Sequence, residues 1–191
     1  MEQRTEKSKS IDMKKYFTFK FDIQNLVTLG MLLATFIVLD YLTIKVGTGM
    51  KFNLAFIAVA IAGALYGPLP TALMCVAGDI LVCILGGDAP LWQLTVTAAL
   101  TGLIYGFFLY GRTGKNLALF SIFARIADSI IITIGLNTLI LMSVGFLSPT
   151  LPAFISRLTK ALIEIPVYSL VLAVLLPQII LLHHKIYDKS R

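Results

Sequence analysis

The sequence predicts an all-α, polytopic membrane protein with six transmembrane helices and both termini in the cytoplasm. Three observations carry that expectation: apolar stretches of spanning length divided by Gly/Pro turns, a scarcity of charge, and a one-sided placement of Lys and Arg. Of the 191 residues, 58% are hydrophobic and 14% charged, and the mean hydropathy is +0.88. A soluble domain carries about 25% charged residues. At this length several membrane spans account for the apolar content better than one large soluble core.

The elements follow in order. A polar, basic arm occupies residues 1–24, ahead of a membrane domain at 25–184 and a polar tail at 185–191. The first span, at 26–44, is too long and lacks the small-residue cleavage site of a signal peptide, so it is expected to stay in the mature protein. The loop KVGTGMK follows it. The second segment, 52–66, is short for a span and ends at GPLP, where Pro68 and Pro70 predict a tight turn. The third runs over 69–85 and closes at Gly86-Gly87-Asp88-Ala89-Pro90. The fourth covers 91–110 and stops at the basic turn GRTGK. The fifth, 117–146, is long enough to tilt or to include a helical extension. The sixth starts near Pro152 and reaches about residue 182, with a bend expected at Pro166.

Charge sets the orientation. The net charge is +6 and the pI about 9.4. Arg4, Lys7, Lys9, Lys14, Lys15 and Lys20 lie in the arm, Arg112 and Lys115 in the fourth-to-fifth turn, and Lys185, Lys189 and Arg191 in the tail. The opposite side has Lys45, Lys51 and Asp88. That bias puts both ends inside the cell. It also accounts for the basic balance without nucleic acid, for which no aromatic-plus-basic ladder exists.

Within the sixth segment, AFISRLTKALIEIPVY carries Arg157, Lys160 and Glu164 at i, i+3 and i+7, on one helix face. A charge in hydrocarbon costs about 2.5 kcal/mol or more, so it turns to a protein interior or a wet cavity. Two readings fit. The favoured one is a polar pocket inside a helix bundle; the other is an internal network, with Lys160 and Glu164 satisfying each other and Arg157 snorkelling. The topology sets Trp92, Gln93, Thr95, Thr97, Asn137 and Thr138 at the same outer level, where a ligand site between helices can form. Trp92 fits an interfacial anchor equally well. Deeper, Asp79, Arg125 and Asp128 are expected to form an Asp79–Arg125 or Asp128–Arg125 ion pair, with a proton relay as the functional rival. Asp40 has Lys45 or a sixth-helix cation as candidate partners.

Gly30 and Ala34 make a small-xxx-small step that lets helices approach closely, within the chain or against another subunit. Cys75 and Cys83 read as small apolar residues, with neither disulfide nor metal implied. No phosphate loop of the GxxxxGK[ST] kind is present, and His183 and His184, both in the tail, are the only histidines. No catalytic set emerges, and the arrangement favours binding and moving a ligand over an enzyme.

FNLAFIAVAIAGALYGPLPTALMCVAGDILVCILGG, WQLTVTAALTGLIYGFFLY, the LNTL of residues 136–139 and SRLTKALIEIPVYSLVLAVLLP together resemble the S components of energy-coupling factor (ECF) vitamin transporters, closest to the folate/pantothenate branch. The resemblance implies a membrane-embedded vitamin-binding subunit in a bacterial plasma membrane. It implies partners too: an EcfT-type transmembrane coupling subunit and two cytoplasmic ATPases, which use the ATP, so no cofactor is expected in this chain. It makes Gly30 and Ala34 the contact with the coupling subunit, and the loop with Lys45, Gly47, Gly49 and Lys51 a gate over the site. Substrate contacts are expected from Trp92, Gln93, Thr95, Asn137, Arg157 and Lys160. Folate-type relatives tend to carry Arg where this chain has Asp40, so pantothenate is favoured, its carboxylate on Arg157 or Lys160 and its hydroxyls or amide on Asn137 and Thr95. The alternatives are a folate-binding S component and a self-sufficient proton-coupled transporter using Asp79 and Asp128.

Overall fold

The computed structural model describes residues 23–46, 50–87, 91–112, 114–143 and 151–189. The arm up to residue 22, Gly47, Gly49 and the end of the tail lie outside the described residues, as do the side chains of Lys45, Lys51 and Arg157. The chain forms α1 (Ile23–Tyr41), a hairpin of β1 (Ile44–Val46) and β2 (Met50–Phe52), α2 (Phe56–Tyr66), α3 (Pro68–Gly86) and α4 (Trp92–Leu109). It continues as α5 (Gly114–Asp128), a π-helical stretch Ser129–Leu136, α6 (Asn137–Ser143) and α7 (Leu151–Lys189). Among the described residues five helical runs are long and apolar enough to cross a membrane: α1, α3, α4, the run Asn116–Ile140 through the π-helical stretch, and Leu158–Leu182 within α7.

α2, an apolar helix of only 11 residues, sits at the centre of the fold. Ala58, Ala60 and Ala62 are fully enclosed. A helix apolar all round has no face to offer water, and its alanines let neighbours come close. Around it the core takes Met74 and Cys75 from α3, Tyr105 and Leu109 from α4, Leu117 and Ala124 from α5, and Tyr168, Leu172, Leu176 and Ile180 from α7.

The turn between α2 and α3 is a single residue, Gly67, at φ 83° and ψ −173°. That region is open almost only to glycine. Pro68 then occupies the first turn of α3, where its missing N–H is no loss. The two prolines expected to make a turn therefore start a helix. α3 ends at left-handed Gly87, whose N–H returns to the carbonyls of Cys83 and Ile84. α3 and α4 meet through glycine: a Cβ placed on Gly102 would lie 2.6 Å from the Ala72 Cα, and one on Gly106 would overlap Pro68.

Two departures from expectation bear on function. The first helix stops at Tyr41 instead of reaching residue 44, and the following loop folds as an antiparallel hairpin with Lys45 opposite Lys51. The all-α expectation therefore holds for the membrane part and fails at this loop. Ile44 and Val46 are β-branched, and strand pairing satisfies their backbone groups once the helix has ended. Second, the fifth span is not α-helical throughout, since Ser129–Leu136 takes the wider π form. α7 runs as one helix through Pro166 and Pro177, and it extends to Lys189, into the stretch read as tail.

Candidate functional site

A cavity of about 290 Å³ opens between α1, α2, α4, the fifth span and α7. Its apolar wall comes from Phe36, Phe56 and Val59, its polar wall from Arg125, Asp128, Lys160 and Glu164. The π-helical stretch adds Ile132 and Thr133, and α6 adds Asn137. π turns recur at functional sites because they displace side chains from the α-helical register.

The cavity's charges are organised around Arg125. Its Nη1 donates to Asp128 Oδ2 at 2.9 Å and its Nη2 to Glu164 Oε2 at 3.2 Å. Asp128 accepts a second bond from the Thr101 hydroxyl at 3.0 Å. Lys160 Nζ stands 3.4 Å from Glu164 Oε1, and its side chain keeps 28% exposure against 5% for Glu164. Two cations thus meet two carboxylates, and the four formal charges cancel. Arg125, Asp128 and Glu164 are buried, so each charge depends on its partners for stability.

Aromatic residues complete the enclosure. Phe56 and Tyr168 stack with centroids 4.1 Å apart and planes 12° from parallel. The Arg125 guanidinium lies 4.6 Å from the Tyr168 ring centre, and the Tyr168 hydroxyl donates to Glu164 Oε1 at 3.4 Å. Tyr105, fully buried, also lines the cavity. Its hydroxyl lies beside the Arg125 guanidinium and interacts with it.

Of the residues expected to touch a ligand, the structure brings Asn137 and Lys160 to the cavity. The Thr97 hydroxyl shares its one proton between Asn137 Oδ1 at 2.9 Å and the Leu94 carbonyl at 2.7 Å. Trp92, Gln93 and Thr95 are not part of the lining. Trp92 is 72% exposed, as an interfacial anchor would be. Thr95 donates to Asp79 Oδ2 at 2.8 Å, tying α4 to α3, so Asp79 does not pair with Arg125. Arg157 lies in α7 one turn before Lys160. Both readings of the α7 charges contribute: a cavity forms, and inside it Lys160 and Glu164 are paired.

The side chains of Lys45 and Arg157, candidate partners of Asp40, lie outside the described residues, and Asp40 is held by neutral groups within them. Its Oδ1 accepts from Asn53 Nδ2, and its backbone carbonyl from the Thr43 hydroxyl. Asn53 Oδ1 in turn accepts the Ala55 N–H at 2.7 Å, so one side chain joins the end of α1 to the start of α2 just past the hairpin. Phe56, Tyr105 and Tyr168 went unnoticed in the sequence, because an aromatic inside an apolar span looks the same whether it faces core or cavity. Glu164, at i+4 from Lys160 and i+7 from Arg157, was the visible signal for that wall.

Comparison with known proteins bears on what this cavity serves. The family model described as ECF transporter, substrate-specific component, matches residues 24–176. A crystal structure of FolT bound with folic acid superposes with a TM-score of 0.70 at 22% identity, over 79% of this chain and 90% of that one. No curated protein matches the chain.

Proposed function

The chain belongs to the ECF transporter substrate-specific component family, and on that premise we propose that it captures a folate-type vitamin in the cavity beside Arg125. Members are substrate-binding membrane subunits of vitamin transporters and not enzymes. The observation that carries the choice of ligand is the cavity's charge balance between aromatic walls. Among the described residues Arg125 and Lys160 already meet Asp128 and Glu164, so the enclosed part of the cavity suits an uncharged ring better than a carboxylate. A pterin is flat, uncharged and rich in N–H donors that carboxylates accept, and it suits a cavity that sets Asp128 and Glu164 opposite Phe36 and the stacked Phe56–Tyr168 pair. The likeness to the folic-acid-bound FolT fold supports the same choice. The cavity is at the lower end of the roughly 300–1,000 Å³ of small-molecule sites, so it encloses the ring and leaves the glutamyl tail at the Lys160 side. Asp40, which argued against folate in the sequence, is committed to Asn53 and is not part of the lining.

In this reading six segments cross the plasma membrane, with α2 as the short sixth, both ends lie in the cytoplasm, and the cavity opens outside beneath the hairpin gate. Uptake requires an EcfT-type coupling subunit and two ATPases. Gly30 and Ala34 lie on the exposed face of α1, where a Cβ on Gly30 would meet nothing within 4 Å. That open small-residue face is the proposed contact with the coupling subunit.

Calorimetry on the purified, detergent-solubilised chain tests the ligand: folic acid binds and pantothenate does not. Liposome uptake tests the mechanism: transport needs ATP and the partner subunits. Tighter binding of pantothenate overturns the ligand, and uptake by the chain alone, driven by a pH gradient, overturns the mechanism.

A further inference from the structure

The hairpin leaves the bundle at the end of α1 and returns to it ahead of α2, and a polar contact closes its base. Asp40, next to the last residue of α1, accepts at Oδ1 from Nδ2 of Asn53, the residue that follows β2. The Asn53 Oδ1 accepts the Ala55 N–H at 2.7 Å, and its main chain meets the Tyr168 hydroxyl. Asn53 thus touches α1, α7 and the approach to α2 at once. It lines the cavity, as does Phe36, one turn before Asp40 on the same face of α1. α1 itself has no buried residue, whereas at least 28% of each other spanning run is buried. Packing therefore fixes α1 less firmly than its neighbours, and the polar ties at its end carry more of its position.

We propose that Asp40 and Asn53 form a clip that holds α1 against the start of α2, and that this clip parts each time a ligand enters or leaves the cavity. The inference rests on the reading of the hairpin as a gate and names the contact that keeps it shut. Both residues act by position: Asp40 is not part of the lining, and both polar atoms of the Asn53 amide are spent on protein groups. The contact is only partly buried, so water can solvate the carboxylate and the amide once they separate. Opening there costs one charge-assisted hydrogen bond and no core packing. A clip that is closed with and without ligand slows entry and exit alike. Its loss raises both rates and leaves the equilibrium nearly unchanged, whereas loss of a ligand contact acts mainly on exit.

The test uses the full chain in detergent as wild type, Asp40→Ala, Asn53→Asp and the exchanged pair Asp40→Asn with Asn53→Asp. Folic acid binding and release are followed by stopped flow, and amide hydrogen exchange is read at Ile44–Phe52 without ligand. Asp40→Ala should raise both rates about tenfold, change Kd by less than about threefold and speed hairpin exchange about tenfold. Asn53→Asp sets carboxylate against carboxylate and should do at least as much. The exchanged pair again faces one amide with one carboxylate, and it should return both readouts to within about twofold of wild type. If Asp40→Ala fails to fold, the comparison of Asn53→Asp with the exchanged pair decides. Unchanged hairpin exchange overturns the clip, as does a faster exit alone or an exchanged pair no better than Asn53→Asp. Faster exchange with both ligand rates unchanged overturns the proposal and the gate reading together. If the wild type binds no folic acid, the folate-type reading fails, and hydrogen exchange in the exchanged pair still decides the clip.

Discussion

The seam between α3 and α4 and the wall between the fifth span and α7 are built by opposite means. At the seam, backbone meets backbone: Gly102 and Gly106 lie where any side chain would strike Ala72 or Pro68. At the wall, helices are held apart by long side chains, and Arg125 reaches across to Glu164. Dispersion between close backbones needs no water and tolerates no new atom. An ion network tolerates new atoms readily, provided each charge keeps a partner. The seam is thus the fixed half of the molecule and the wall the half in which a ligand can be exchanged for existing contacts.

Four substitutions sharpen or break that contrast. Arg125→Leu should have the largest effect, because it leaves Asp128 buried without a cation and Glu164 with Lys160 alone. A loss of about 3–5 kcal/mol is expected, read as a large drop in melting temperature together with loss of vitamin binding. Gly102→Val should destabilise by about 1–3 kcal/mol through overpacking, visible as a lower melting temperature in detergent. Binding per folded molecule should persist, and a variant as stable as wild type would disprove the tight seam. Thr97→Val removes the hydroxyl from Asn137 and should weaken vitamin binding about fivefold, with Thr97→Ser restoring it. A variant that binds normally would take Asn137 out of the site. Trp92→Ala should change binding by less than about twofold, since exposed positions away from such features contribute within about 0.5 kcal/mol. A larger loss in calorimetry would return Trp92 to the ligand.

Much of the fixed half was legible in the sequence. Apolar runs and Gly/Pro punctuation placed α3 and α4 to within a residue at each end, and the low charge content marked a membrane protein. The wall was legible only where charge made it so. Arg125 and Asp128 drew notice as costly groups at mid-span, and they pair as one of the two expected arrangements. Lys160 drew notice as a charge inside an apolar run, and Asn137 by its depth. Trp92, Gln93 and Thr95 were grouped with them by depth alone, and depth does not say which way a helix is turned. The hairpin and the π-helical stretch were not visible either. Three-residue strands are too short for a period to register, and a π turn leaves the apolar composition of its helix unchanged.

The π-helical stretch has a consequence for anyone counting residues between relatives. Bonding i to i+5 takes up more chain per turn than an α-helix does. Arg125 and Asp128 precede Ser129–Leu136, and Asn137 follows it. A relative whose fifth span is α-helical throughout would keep one of these groups in register with this chain and lose the other. Site residues matched by a constant numerical offset across positions 129–136 would then land on the wrong side of the helix, so an equivalence drawn at Arg125 does not carry to Asn137 without a gap.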